Sequence, residues 1–74
     1  MNAVEYQVVL FKSVSHALLA EKTLKAAGIP HKLIPVPRHI SSDCGVCLRI
    51  DAADRVRIER ALAGAVGCEK IQPL

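Results

Sequence analysis

Two apolar runs in this chain cannot play the same part in a sheet. Tyr6-Gln7-Val8-Val9-Leu10-Phe11 is nearly continuous and rich in β-forming residues, the pattern of a strand with neighbours on both sides and cover on at least one face. Ile29 to Arg38 is also apolar, but Pro35 and Pro37 lack the N–H that a central ladder needs. This second run is therefore expected at a sheet edge.

The segments around these runs complete the pattern. Ser13 supplies a capping hydroxyl, and Val14 to Ala27 carries Ala17, Ala20, Leu24 and Ala27 at helical spacing before Gly28 ends the helix. Residues 39–45 are polar and turn-forming, and Val46-Cys47-Leu48-Arg49-Ile50 alternates with period two, so the two segments predict a hairpin with Cys44 in its loop. Asp51 is expected to cap a second helix whose buried face includes Ile58, Ala61, Leu62 and Ala65, closed by Gly67. Cys68-Glu69-Lys70-Ile71 begins a short last strand. The order β-α-β-β-α-β predicts an α+β, ferredoxin-like fold: a four-stranded antiparallel sheet in the order 4-1-3-2 with two helices on one face. That order puts the first run in the middle and the proline-bearing run at the edge.

With 74 residues, the chain is expected to be one domain, 1–74, with a core only just large enough to outweigh chain entropy. Small folds of this kind often lean on a disulfide, a metal or a second subunit, and a homodimer is one alternative. The net charge of +3 is spread along the chain, and Tyr6 and Phe11 are the only aromatics. Neither a basic stripe nor a stacking platform for nucleic acid is present. The first residues lack a basic segment followed by an apolar one, and no run of about 18 apolar residues suggests a membrane span. The expected setting is the cytoplasm, with no nucleic-acid or membrane partner.

In that reducing compartment, Cys44-Gly45-Val46-Cys47 reads as a reactive thiol site more readily than as a stable crosslink, and an odd total of three cysteines fits poorly with a disulfide framework. Zinc needs four ligands and the chain has no second C-x-x-C. In the expected strand order Cys68 lies two strands from Cys47, roughly 10 Å away by strand spacing, which disfavours a zinc site within one chain. The pair follows a loop and enters a strand, unlike the helix-opening motif of thioredoxins. Cys68 reads most simply as a small buried residue, His16 as a first-turn helix residue and His31 as a surface residue of the far rim.

The topology brings Ser13, Ser15, His16, Arg38, His39, Cys44, Cys47 and Cys68 to one rim, and Gly28 and Asp51 to the other. Amides of the first helical turn, together with Arg38 and His39, favour a thiolate or small oxyanion at that rim, whereas Asp43 opposes it. Ser41 and Ser42 supply loop hydrogen bonds or face the anion, and Gly45 lets the backbone turn and approach a ligand closely. The candidate site is thus Cys44 and Cys47 as the reactive pair, with Arg38, Ser41, Ser42, Gly45 and Ser13 binding the anion or stabilising the thiolate.

The segment from Pro35 to Arg49, with its Pro-x-Pro-Arg, Ser-Ser, Cys-Gly-x-Cys and Leu-Arg, resembles the small bacterial family described as selenium/sulfur carrier-like proteins. Ala20-Glu21-Lys22-x-Leu24-Lys25 and Ala27-Gly28-Ile29 extend the resemblance, although Cys68 lies outside the matched motif. The resemblance implies a cytoplasmic carrier that holds sulfur or selenium on a cysteine, receives it from a donor protein and passes it to an acceptor. No resident cofactor is implied beyond the carried atom. A carrier or binding protein is favoured over a stand-alone enzyme; the alternatives are a non-catalytic regulatory module and metal binding through the C-x-x-C.

Overall fold

A computed structural model describes residues 5–40, 45–64 and 70–74. Strand β1 (Tyr6–Leu10) leads into helix α1 (Val14–Ala26), edge strand β2 (Lys32–Pro35), strand β3 (Val46–Asp51), a single 3-10 turn (Ala52–Asp54), helix α2 (Arg55–Leu62) and strand β4 (Lys70–Pro73). All strand pairings are antiparallel, in the order β2-β3-β1-β4. Read from the other edge, this is the expected order. The proline-bearing strand lies at the edge, where Pro35 takes the last position opposite Val46, and only four of its ten expected residues are strand.

Helix α1 starts and stops for local reasons. Ser13 is extended, and its Oγ accepts the His16 N–H at 3.3 Å. At the other end the Ile29 N–H reaches the Leu24 carbonyl at 3.0 Å, and the Gly28 N–H reaches the Lys25 carbonyl at 3.2 Å. These two bonds are the Schellman pattern, which needs a left-handed residue at its centre. Gly28 supplies it at φ 71°.

Helix α2 departs from expectation at its start. The Asp51 carboxylate accepts the Ala53 N–H at 2.9 Å, so it caps the 3-10 turn, and the α-helix begins only at Arg55. The helix ends at Leu62; Ala65 and Gly67, expected within and after it, lie outside the described residues. His31, expected on the surface, is half-buried, and its Nδ1 donates to the Ile29 carbonyl at 2.8 Å.

Both helices cover one sheet face. Ala17, Ala20 and Leu24 of α1 and Ile58 and Leu62 of α2 pack with Val9, Phe11, Leu48 and Ile50 into the larger core, with Ala61 at its margin. The opposite face holds a second, smaller core of Val8, Leu10, Cys47 and Ile40, flanked by Ile34 and Val36. From Val8 to Phe11 the first apolar run is therefore dry on both sides, because successive residues of a strand point to opposite faces.

The left-handed conformation at Gly28 makes an expected outcome simple. Gly28→Ala should lower stability by about 1–2 kcal/mol through the strain of positive φ. Gly64→Ala, where the new methyl meets no described residue within 4 Å, should change it by less than about 0.5 kcal/mol. Urea denaturation of the two variants checks both values.

Candidate functional site

Strand registers define the rim at which the candidate residues gather. Leu10, the last residue of β1, lies opposite Lys70, the first of β4, and Pro35, the last of β2, lies opposite Val46, the first of β3. Helix α1 opens at the same end through Ser13. Tyr6 and Asp51 are paired at the far end.

At the rim, Ser13 has two hydrogen-bonding tasks. Its hydroxyl caps α1 and stands 2.7 Å from His16 Nδ1. Arg38 and His39 are the two central residues of a turn closed by the Ile40 N–H on the Pro37 carbonyl at 3.0 Å. Both side chains are exposed. The turn carries the chain back over the sheet, and Ile40 lands at 6% exposure against Val8, Leu10 and Cys47.

Cys47 is fully buried beneath that cover, opposite Ile34 of β2. Its direction follows from parity: Val46, Leu48 and Ile50 pack toward the helices, so Cys47 and Arg49 face the other way. Gly45, one residue outside β3, is exposed, and its carbonyl accepts the Val36 N–H at 3.1 Å. Among the described residues Gly28 alone has positive φ, so the sharp turn expected at Gly45 is not what requires glycine there. Among the described residues nothing lies within 4 Å of a Cβ added there.

The structure thus brings Ser13, Arg38, Gly45 and Cys47 to one rim. Cys44, Ser41, Ser42, Asp43 and Cys68 lie outside the described residues. Among the described residues no group of three or more His, Cys, Asp or Glu is placed to hold a metal ion. No helix among them is long and apolar enough to cross a membrane.

The family model described as "Putative Se/S carrier protein-like" matches residues 5–73. The chain belongs to this family. The match spans both sheet cores and the whole C-x-x-C segment, so the selenium/sulfur carrier-like assignment covers the rim and the scaffold that builds it. No curated protein and no solved structure matches the chain.

Sequence reasoning did not find the cover over Cys47. Its signal is Ile40, the one apolar residue in the polar stretch from Arg38 to Asp43, together with a β1 run that is apolar at both parities. Replacing Ile40 with Ala should cost about 2 kcal/mol, the lower end for truncating a buried aliphatic side chain. In a Cys44→Ser, Cys68→Ser background, the same change should speed alkylation of Cys47 about tenfold or more, if local lifting of the cover limits access. Timed iodoacetamide labelling read by intact mass decides it; an unchanged rate means that the Ile40 cover does not guard the thiol.

Proposed function

We propose that the chain is a carrier that takes sulfur or selenium onto Cys44 and passes it to an acceptor protein. Membership of the selenium/sulfur carrier-like family over residues 5–73 carries the reading. Burial of Cys47 sharpens it by dividing the labour between the two thiols. A protein-bound persulfide cannot approach a side chain sealed under Ile40, so loading falls to Cys44, three residues earlier in the chain.

The chemistry is an exchange with no net oxidation. The Cys44 thiolate attacks the outer sulfur of a donor persulfide, the donor's S–S bond breaks, and the donor leaves as a thiolate. Cys44 then holds the persulfide, or with selenium the selenylsulfide. An acceptor thiolate repeats the step on the outer atom and restores Cys44. If Cys47 attacks the Cys44 sulfur instead, hydrosulfide departs and a Cys44–Cys47 disulfide remains, which a dithiol reductant must reopen. The buried position of Cys47 restrains this loss and shields the loaded atom from premature release.

Arg38, Ser41, Ser42, Gly45 and Ser13 serve the anionic form in this reading. Arg38 is exposed on its turn and contributes positive potential, while Ser13 organises the first turn of α1. Gly45, with no described residue within 4 Å of an added Cβ, lets a donor or acceptor chain approach the backbone closely in this reading. A ferredoxin-like arrangement, in one domain set in the reducing cytoplasm, completes the proposal.

Incubating the reduced protein with a low-molecular-weight persulfide, followed by intact-mass and peptide mapping, should find one added sulfur on Cys44. Cys44→Ser should abolish loading, whereas Cys47→Ser should retain it and release hydrosulfide more slowly. Loading of the Cys44→Ser protein at the wild-type rate would overturn the assignment.

A further inference from the structure

The sheet ends in β2 on one side and β4 on the other, and hydrogen bonds just beyond each strand fix which way its residues point. The Leu74 N–H reaches the Tyr6 carbonyl at 3.2 Å, in register with the ladder between β1 and β4. Antiparallel pairs alternate between bonded and non-bonded. Lys70 and Gln72 therefore turn their amides to β1, whereas Ile71 and Pro73 turn theirs outward. The Ala52 N–H on the Glu5 carbonyl, at 2.8 Å, sets the same alternation from the other side of β1. Across the sheet, the Val36 N–H reaches the Gly45 carbonyl at 3.1 Å, one pair beyond Pro35 and Val46. Lys32 and Ile34 thus bond to β3, and Leu33 and Pro35 hold the outward positions.

Proline has no N–H, so each edge lacks an outward donor where a further strand would need one. Leu33 is the outward donor left in β2, and Ile71 the one left in β4. All four prolines of the chain lie in or beside these edges, for Pro30 and Pro37 bracket β2 and offer no donor either. A strand added at either edge would meet one N–H, and its carbonyl opposite the proline ring would be desolvated without a partner. Both edge strands have only four residues, and each carries an exposed lysine, Lys32 or Lys70. Shortness, lysine and proline are the means by which sheet edges resist pairing. The prolines weaken nothing inside the sheet, because the inward positions keep their N–H groups.

We infer that Pro35 and Pro73 close the two edges to a further strand, so that neither a second copy of the chain nor a partner segment joins this protein by extending its sheet. With both edges open, β2 of one copy would pair with β4 of the next, a head-to-tail contact that need not close on itself. On the carrier reading, a sulfur donor or acceptor is then met by side chains and loops. Edge closure itself needs neither cysteine.

Amide hydrogen exchange by NMR and sedimentation equilibrium of the full chain, both with reductant present, test this. In the wild type the Leu33 and Ile71 amides should show protection at least about tenfold lower than Ile34 and Gln72 at every concentration. Pro35→Thr/Pro73→Thr restores both donors on a strand-favouring residue. It should self-associate at least about tenfold more tightly than the wild type, with Leu33 and Ile71 gaining protection as concentration rises. If the double variant fails to fold, Pro35→Thr and Pro73→Thr singly supply the comparison one edge at a time. Protection of Leu33 or Ile71 in the wild type, or folded variants that associate no more than the wild type and leave both amides fast, would overturn the inference. Cys44→Ser should show the wild-type exchange pattern, so a protein that takes up no sulfur leaves the edge assignment standing, and an overturned edge assignment leaves sulfur loading untouched.

Discussion

From Val8 onward both sides of β1 are dry, and the remaining architecture accommodates that fact. Val9 and Phe11 lie under the two helices, while Val8 and Leu10 lie on the face the helices do not reach. Burying an aliphatic or aromatic side chain is worth about 1.5–3 kcal/mol, and a fold this small has little stability to spare. The second face therefore needs cover of its own. It comes from the chain between β2 and β3, which turns at Pro37–Ile40 and sets Ile40 on Val8, Leu10 and Cys47. Burial of Cys47 follows from the demand of β1 for a second lid, so the state of the thiol and the stability of the domain share one contact.

How much of this was legible depends on how local each cause is. The limits of α1 were readable because Ser13 and Gly28 act through hydrogen bonds within a few residues. Strand order was readable because proline excludes a run from the middle of a sheet whatever its hydrophobicity. The start of α2 was misread because Asp51, a good cap by residue type, caps a 3-10 turn first, and nothing in the residue types separates the two kinds of helix over three residues. Ile40 was missed because one apolar residue in a polar loop has no periodicity. Its partner surface is assembled from separate strands, of which β1 lies far away in sequence.

The thiol pair itself was plain in the sequence, but the complete burial of Cys47 was not. Parity already placed Cys47 on the face away from Leu48 and Ile50. Whether that face was wet or dry depended on where the turn before β3 sets Ile40. Two tasks were expected of Gly45, a sharp turn and close approach to a ligand, and its φ, which is not positive, removes the turn as a reason for glycine.

The same parity ties Arg49 to Cys47 on the face turned away from the helices. Cys47 and Arg49 are two residues apart on one strand, hence about 7 Å apart along it and on one side. A slip of β3 by one residue would turn Arg49 into the helix-covered core, where an unpaired guanidinium is strongly unfavourable, and would turn Leu48 and Ile50 outward. The hydrophobic pattern that sets the register therefore also sets the spacing between the sealed thiol and the cation stacked on Tyr6.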